Sequence, residues 1–459
     1  MKIIFLSVAM LFFASCVGAP ARDKSDQKLV PFDIKYSSII KGVVSCSDIQ
    51  NVKVVAMRQV KGEWRFADYA TPFDDGSFYL FVRSGQFLVF AFNDVNGNNV
   101  FDENEPASYY NFGNPVEVRS GMIIMDIEIK IGENSITQRQ GLDLNRHENY
   151  TYGMKKPKPG TVVTMNSELF LEKDKFGRWY PVEMFKHTPA NVYFLEPYDE
   201  NRIPILFVHG IWGTPNDFQY FVSNIDRTKY QIWFYHYPTG LRLKPLAEIL
   251  YRRMEELHKK YGFEKLVLTA HSMGGLVSRA YLNKYIERKE ADYIKLYVTL
   301  STPWDGSELS QRGVRRSPFL IPGWQDVATG SGYIEDLRKV KLPETIPFYL
   351  FFSFSGNSTI NRDSDDGVIS IRSQLSYHFQ DQAEKVFGSY EDHVSILHDE
   401  WTFDKYSKLL EETFFTQKIE DPEGIEDPVK IEESGEIEGQ EEPEELEEIE
   451  EIEVPKDSG

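Results

Sequence analysis

The chain shows two different patterns of hydrophobic and polar residues, and the change between them falls near residue 160. Between residues 34 and 132, short apolar runs such as "VKVVAMRQV", "SFYLFVRSG" and "FLVFAFND" are separated by turn-forming clusters such as "FDDGS". Runs of this length that alternate with period two, and that lack a helical period, predict β-strands. We therefore expect residues 34–132 to form a small all-β domain, an antiparallel sandwich.

After residue 160 the pattern alternates between strands and helices. "IPILFVHG", "KLVLTA" and "YIKLYVTLS" have the character of buried strands, whereas "LAEILYRRMEELHKKYG" and "GLVSRAYLNKYIERK" have a helical period. Such alternation predicts an α/β domain over residues 161–416, with a mainly parallel sheet and helices on both faces. Within it, "GRWYPVEMF…NVYFLEPYD" is interpreted as a β-hairpin. Residues 133–160, which end in "MKKPKPG", are interpreted as a linker.

The first residues have the pattern of a targeting segment. "MKIIFLSVAMLFFASCVG" places a lysine before an apolar run that is short for a membrane span, which predicts an export signal over residues 1–15. "FFASC" resembles the lipobox of bacterial lipoproteins, which implies that Cys16 is acylated; the alternative is ordinary cleavage near Ala19. Residues 16–33 are then a tether. We expect an exported protein of the cell envelope, periplasmic or surface-exposed, held at a membrane by its N-terminal lipid.

Charge is concentrated at the other end of the chain. The net charge is −20, and the stretch from Ile419 to Gly459 contains 19 acidic and 2 basic residues. Residues 417–459 are too poor in bulky apolar side chains to offset the entropy of ordering, so we predict a disordered acidic tail. The remainder is nearly neutral and has no basic stripe, so we do not expect nucleic acid to be a partner. Cys46 is left without an intrachain partner, so no disulfide is expected.

One motif carries the candidate chemistry. In "TAHSMGGLVSR" a serine stands between a buried strand and a helix, with Ala270 two residues before it and Gly274 two residues after it. A strand-to-helix turn that exposes one side chain requires such small neighbours, and this is the nucleophile-elbow pattern. Gly275 lets the helix approach the sheet. We therefore predict that Ser272 is a nucleophile at a helix N-terminus, where developing negative charge is favoured.

A nucleophilic serine requires donors for the oxyanion. The elbow supplies the N–H of Met273, and the loop "FVHGIWG" after an earlier strand supplies a second N–H, from Ile211 or alternatively from Trp212. His209 in that loop is expected to order the loop without transferring protons.

The base and the acid are expected after the serine in the chain. His393 lies in the polar loop "GSYEDHVSIL" and is the predicted general base, with His398 as the alternative. Asp366 in "NSTINRDSDDGVIS" is the predicted carboxylate that orients the imidazole, with Asp365 as the alternative.

Several motifs in this order identify a family resemblance. "FVHGIWG", "HYPTG", "AHSMGGLVSR", "STPWDGS" and "DDGVIS" together resemble the α/β-hydrolase superfamily, and within it the bacterial lipases and esterases, over roughly residues 180–415. The resemblance implies an α/β-hydrolase fold, a Ser-His-Asp triad, and a cap domain at about residues 302–344.

These features lead to one functional hypothesis. It is an exported serine hydrolase that cleaves carboxylic (acyl) esters through an acyl-enzyme, acts on an acyl ester or lipid substrate, and uses no cofactor for the chemistry. The alternatives are a thioesterase or acyltransferase with the same triad, or a non-catalytic surface-binding lipoprotein on a hydrolase scaffold. Acyl chain length and oligomeric state are left open.

A second candidate site lies in the all-β domain. The loop "DVNGNNVFDENE" follows the spacing of an EF-hand calcium loop, positions 1, 3, 5, 7, 9 and 12. We predict a structural calcium site formed by Asp94, Asn96, Asn98, the carbonyl of Val100, Asp102 and Glu105. The alternative is a hairpin turn without metal.

Overall fold

The computed structural model describes residues 37–416, with gaps at residues 133–140, 150–153, 155–156, 172–173, 289–291, 317–320 and 357–363. The predicted signal segment, the tether with Cys16 and the acidic tail lie outside the described residues, and those expectations stay predictions.

The first part of the chain forms β-sheets, as the alternating pattern predicts. Its strands are β1 (Ser38–Ser45), β2 (Val52–Val60), β3 (Glu63–Ala70), β4 (Ser77–Val82), β5 (Gly85–Asn93), β6 (Val100–Phe101), β7 (Ala107–Tyr109), β8 (Val116–Val118), β9 (Ile123–Lys130) and β10 (Leu142–Asp143). One sheet has the order β4-β1-β9, and the other has the order β3-β2-β5-β7 with β8 also paired to β5. Both sheets contribute to one apolar core. The predicted all-β domain is therefore confirmed as a fold class.

One pairing differs from the prediction. All pairs of the larger sheet are antiparallel, but β1 and β9 run parallel. They are the first strand and the last long strand of this part, and the strands between them supply the crossover that a parallel pair requires. In addition, β10 pairs with β6. Part of the predicted linker therefore packs on the all-β part of the chain.

The second part contains an eight-stranded sheet. Its strands are β11 (Thr161–Val162), β12 (Asn191–Phe194), β13 (Ile203–Val208), β14 (Tyr230–His236), β15 (Leu266–His271), β16 (Ile294–Leu300), β17 (Phe348–Ser353) and β18 (Lys385–Ser389). The order is β11-β12-β14-β13-β15-β16-β17-β18, and every neighbouring pair is parallel except β12 and β14. This is the mainly parallel sheet that the sequence predicts.

Helices connect these strands. They are α1 (Glu168–Leu171), α2 (Asp174–Trp179), α3 (Pro181–His187), α4 (Gln219–Asn224), α5 (Leu243–Tyr261), α6 (Met273–Arg288), α7 (Glu308–Arg316), α8 (Pro322–Val327), α9 (Gly332–Leu337), α10 (Ile371–Gln374), α11 (Tyr377–Gln380) and α12 (Glu400–Phe414). Separate apolar clusters cover the two faces of the sheet. None of the helices in the described ranges is long and apolar enough to span a membrane.

The predicted β-hairpin before β13 is wrong. The segment forms α2 and α3, followed by the single strand β12. Pro181 occupies the first turn of α3, where its missing N–H costs nothing. Val182 and Phe185, three residues apart, are both buried against the large core. Residues three apart lie on the same face of a helix, so α3 can bury both of these apolar side chains without forming a strand.

The segment expected to form a cap contains α7, α8 and α9. A Cβ added to Gly313 of α7 would lie 2.5 Å from the ring of Trp324 in α8, so the two helices are in close contact. Trp324 in turn meets Trp179 edge to face, with ring centroids 6.4 Å apart. Arg242 donates to both carboxylate oxygens of Asp326 in α8. The segment is thus packed on the start of α5 and the end of α2.

The all-β part and the α/β part share a continuous core. Strand β4 is buried along its whole length. Its side chains point alternately to the two faces of the sheet, and each face is covered by a different apolar core. Phe78 faces the inside of the sandwich, whereas Tyr79 and Phe81 belong to the core of the α/β part. Tyr79 meets Phe185 of α3 edge to face, with ring centroids 5.6 Å apart. The two parts are consequently expected to unfold together.

We expect Phe81→Ala to destabilise the whole chain by about 3–5 kcal/mol, because it removes a fully buried ring from this shared core. Urea unfolding followed by circular dichroism should show a single transition at lower urea. Tyr377→Ala, which removes a ring that is 77% exposed, is the control and should change stability by less than about 0.5 kcal/mol. Loss of only part of the signal in Phe81→Ala would mean that the two parts unfold independently.

Candidate active site

The candidate nucleophile lies at a sharp turn between β15 and α6. Ser272 has a φ of 53°, in the left-handed region that a non-glycine residue rarely occupies. Its N–H donates to the carbonyl of Leu300, the last residue of the neighbouring strand β16. Helix α6 begins at the next residue. The local backbone thus has the geometry that the nucleophile-elbow pattern predicts.

Two glycines make this turn possible. A Cβ on Gly274 would lie 2.3 Å from the carbonyl oxygen of Val208, at the end of β13. A Cβ on Gly275 would lie 2.1 Å from Oγ1 of Thr302, beyond the end of β16. Any larger residue would push α6 away from the strand ends and move the serine with it.

A chain of two short hydrogen bonds joins the serine to a histidine and an aspartate. His393 Nδ1 lies 2.6 Å from Asp366 Oδ2, and His393 Nε2 lies 2.8 Å from Ser272 Oγ. A carboxylate can only accept, so Nδ1 carries the proton of the neutral ring. Nε2 is then the acceptor for the serine hydroxyl. The structure therefore brings together the three residues that the sequence singles out.

Asp366 is fully buried, and its carboxylate is surrounded by donors. Oδ1 accepts the N–H groups of Val368 and Ile369 at 2.9 and 2.7 Å. Oδ2 accepts from Ser353 Oγ at 3.0 Å and from Gln374 Nε2 at 3.1 Å, in addition to the imidazole. These donors lie on several sides of the carboxylate and hold it in one orientation towards the ring.

The alternative residues lie elsewhere. Asp365 is also buried, but its Oδ1 accepts the N–H of Gly367 at 2.9 Å within the turn itself. His398 is exposed at the end of the short helix that follows His393. The geometry thus distinguishes Asp366 from Asp365 and His393 from His398, two choices that the sequence leaves open.

The loop after β13 lies directly against the serine. A Cβ on Gly210 would be 2.9 Å from Ser272 Cβ. The carbonyl of Gly210 accepts from Nδ1 of His209 at 3.0 Å and from the N–H of Gly213 at 3.2 Å. In a trans peptide the N–H of Ile211 must point the opposite way. Neither this N–H nor that of Met273 donates a hydrogen bond within the described residues, so both are available to an oxyanion.

His209 is held as a neutral, buried side chain. Burial lowers its pKa to about 4. Its Nε2 lies 3.2 Å from Nδ1 of His236, and its ring stacks on Tyr237 with centroids 4.4 Å apart. These contacts fix the ring whose Nδ1–H orients the Gly210 carbonyl. The expectation that His209 orders the loop agrees with this arrangement.

Two serines that the sequence motifs do not single out lie behind the aspartate. Ser353 Oγ donates to Asp366, and Ser301 Oγ lies 2.6 Å from Ser353 Oγ. Since the Ser353 hydroxyl proton is committed to the carboxylate, the Ser301 hydroxyl must donate to Ser353. A signal was present in the sequence, since each serine stands where an apolar run ends, "YVTLS" and "FYLFFS".

Another unpredicted cluster lies beside the oxyanion loop. The guanidinium of Arg178, at the end of α2, stands 4.2 Å above the ring of Trp212 and 4.6 Å from that of Trp179. Trp212 has a φ of 63°, so its backbone is strained next to Ile211. Stacking of a cation on an aromatic face holds this indole in place. The sequence pattern does not link α2 to this loop, because it predicts a β-hairpin in that segment and the structure has helices there.

Comparison with known proteins agrees with the fold. Residues 242–402, which include the serine, the aspartate and the histidine, match a family described as an alpha/beta hydrolase of unknown function (DUF915). No curated protein matches the chain significantly. This match, together with the strand order, confirms the α/β-hydrolase fold that the sequence implies.

Among solved structures, the mature lipase BlEst2 of Bacillus licheniformis is 19% identical over 48% of this chain and 97% of its own, with a TM-score of 0.37. Phospholipase PlaB of Legionella pneumophila is 14% identical over 38% of this chain and 45% of its own, with a TM-score of 0.31. Lipase B of Aspergillus fumigatus is 10% identical over 47% of this chain and 55% of its own, with a TM-score of 0.37.

The loop proposed for calcium is ordered by its own side chains. The amide groups of Asn96 and Asn98 both donate to Oδ2 of Asp102, at 2.9 and 2.8 Å. Glu105 accepts the N–H groups of Val95 and Asp102. Both asparagine amides would have to turn to present their oxygens to a cation. Within the described residues, no group of three or more His, Cys, Asp or Glu side chains is arranged to hold a metal ion.

Calcium binding therefore stays a sequence prediction, and the electrostatics of the loop give it a sharp test. Burial, and then the charge of Asp94, raise the pKa of Glu105. A raised pKa in the folded state means that this group favours folding at low pH, and that the contribution is lost as pH rises through the folded pKa. A cation would offset that loss.

We expect calcium to raise the melting temperature of the full chain, and to raise it more at pH 7 than at pH 4.5. Differential scanning calorimetry measures both shifts. Asp102→Asn should abolish the effect, whereas Asp74→Asn, which removes an exposed carboxylate outside the loop, should keep it. An equal calcium shift in the wild type and in Asp102→Asn would contradict this site.

Proposed function

We propose that this α/β hydrolase is a serine esterase of lipase or esterase type, and that it cleaves carboxylic (acyl) esters through a covalent acyl-enzyme. The observation that carries the proposal is the continuous chain of hydrogen bonds from Ser272 Oγ through His393 to Asp366. The serine lies on a strained turn, which presents its hydroxyl at a fixed position. The nearby N–H groups of Ile211 and Met273 donate no hydrogen bond to any residue that the structure describes. The side chains of Ser272, His393 and Asp366 are all buried.

In the first half of the reaction, Ser272 Oγ attacks the ester carbonyl carbon while His393 Nε2 takes the hydroxyl proton. A C–O bond forms, and the carbonyl oxygen becomes an oxyanion that accepts from the N–H groups of Ile211 and Met273. The carboxylate of Asp366 stabilises the imidazolium that results. The bond to the leaving alkoxide then breaks, and His393 gives its proton to that oxygen. The products are the alcohol and the acyl-serine.

The second half repeats these steps with water. His393 Nε2 takes a proton from water, whose oxygen attacks the acyl carbon and generates a second oxyanion at the same donors. The bond between the acyl carbon and Ser272 Oγ breaks, and the imidazolium returns its proton to the serine. The carboxylic acid leaves. No metal or organic cofactor enters this sequence of steps.

The location of the enzyme is part of the proposal. An export signal followed by the lipobox-like "FFASC" supports a lipid anchor at Cys16, in the cell envelope. An enzyme held at a membrane by its N-terminus has acyl lipids within reach, which favours lipid esters as substrates over soluble esters.

The triad assignment predicts the kinetics of matched variants. Ser272→Ala and His393→Ala should each lose roughly 10⁴-fold or more in kcat on a p-nitrophenyl ester, because members of a triad act as a unit. Asp366→Asn should also be severely impaired, since an amide does not hold the required tautomer. Circular dichroism would verify that each variant is folded.

Asp365 and His398, the two alternatives that the sequence offers, provide the control variants. Asp365→Asn keeps an oxygen for the N–H of Gly367, and His398→Ala removes an exposed ring, so both should retain most of the activity. Wild-type turnover in Ser272→Ala would refute the mechanism. A panel of esters of increasing acyl length, with one thioester, would then separate an esterase from a thioesterase.

Anchoring has its own test. Cys16→Ala should prevent incorporation of labelled fatty acid and move the protein from the membrane fraction to the soluble fraction, because a covalent lipid is the proposed attachment. Activity on a soluble ester should be unchanged. Undiminished lipid labelling in the variant would show that the attachment lies elsewhere.

A further inference from the structure

His271 precedes the candidate nucleophile and is not used by the mechanism above. It is the last residue of β15 and only 5% of it is exposed. Its ring lies beside that of His393, with centroids 5.0 Å apart and the planes tilted by 47°. The residue before the serine is thus in direct contact with the proposed base.

One hydrogen bond defines the relation between the two histidines. Nε2 of His271 lies 2.8 Å from the backbone carbonyl oxygen of His393. A carbonyl can only accept, so Nε2 of His271 carries the proton. Nδ1 of this ring has no hydrogen-bond partner among the described residues. The tautomer of His271 is therefore fixed by the main chain of the base.

The backbone of His393 is held at both ends. Its N–H donates to the carbonyl of Asp366 at 2.9 Å, and its carbonyl accepts from His271. The first bond fixes the base relative to the aspartate, and the second fixes it relative to the strand that carries the serine. Without the second bond, the main chain of His393 keeps its hydrogen bond to Asp366 but loses its hydrogen bond to the strand that leads into the serine.

His271 also contacts the oxyanion loop. A Cβ placed on Gly210 would lie 3.1 Å from Nδ1 of His271 and 2.9 Å from Cβ of Ser272. The imidazole thus lies between the backbone of Gly210 and that of His393. It touches the loop that supplies one oxyanion donor as well as the loop that supplies the base.

We infer that His271 is a positioning residue, which locks the loop of the general base onto the nucleophile elbow through its Nε2–H. This inference rests on the proposed function. His271 does not touch the substrate or exchange protons. Its effect is on the distance and angle between His393 Nε2 and Ser272 Oγ, and displacements of about 1 Å at such a pair cost up to roughly 100-fold in rate.

The protonation of His271 supports a constant role across the working pH range. Burial, and then the proximity of His393, lower the pKa of His271 to about 3. The ring is neutral at every pH at which the enzyme would be assayed, so its Nε2–H is always present.

The test compares a variant that keeps the donor with one that removes it. Gln places an N–H close to the position of Nε2, whereas Leu fills similar space without a donor. We expect His271→Leu to lower kcat by roughly 10- to 100-fold with KM changed less than about twofold, and His271→Gln to recover most of the loss. Labelling of Ser272 by a fluorophosphonate should slow in parallel with kcat.

A matched control, a fallback variant and a pH–rate profile accompany this comparison. His258→Leu, the same replacement at a histidine that packs on Phe263 and Tyr293 of the core, should leave kcat unchanged. If His271→Leu does not fold, His271→Asn gives the same comparison, because its shorter amide does not reach the carbonyl. The acid limb of the pH–rate profile should be the same in His271→Gln as in the wild type.

Wild-type kcat in folded His271→Leu, or in folded His271→Asn where Leu does not fold, would overturn the inference. So would an acid limb that disappears in His271→Gln, because His271 would then be a titrating group. Neither result affects the proposed function, which fails if Ser272→Ala retains wild-type turnover. The two proposals are therefore tested separately.

Discussion

The site depends on one backbone constraint, the left-handed conformation of Ser272 between β15 and α6. A side chain in that conformation costs about 1–3 kcal/mol, and it persists only where the surroundings determine it fully. Here α6 packs so closely on the ends of β13 and β16 that no Cβ fits at Gly274 or Gly275. The close approach of helix and strands therefore holds the turn, and the turn aims the serine.

The second determinant is a buried polar network that converges on Asp366. Burial of a carboxylate is costly unless its oxygens are hydrogen-bonded, and this one accepts five hydrogen bonds from main-chain and side-chain donors. Ser353, Gln374 and the imidazole all converge on the same oxygen. A network satisfied in this way is rigid. It explains how His393 in its loop and Asp366 after β17 present a fixed geometry to Ser272 at the turn after β15.

The two parts of the chain are linked by the double-sided burial of β4. Alternate residues of this strand enter the sandwich core and the core of the α/β part. An ion pair adds to this contact, with Arg252 of α5 2.7 Å from Asp126 of β9. Because Arg252 also binds Glu248, which pairs with Lys284 of α6, the all-β part is connected to the helix that follows the serine. The all-β part thus supports the helix layer next to the site.

The sequence by itself determined the features that follow from local pattern. Period-two runs gave the strands of the sandwich, the alternation of strands and helices gave the parallel sheet, and small residues around Ser272 gave the turn. These features depend on neighbours within a few residues, which a sequence displays directly. Tertiary structure decided what depends on distant segments. It placed Asp366 rather than Asp365 beside the imidazole, it brought Ser353 and His271 to that network, and it turned a supposed hairpin into α2 and α3. Adjacent residues are equivalent in a pattern, but only one of them points at the site once a turn has folded, and that direction is set by packing between parts of the chain far apart in sequence.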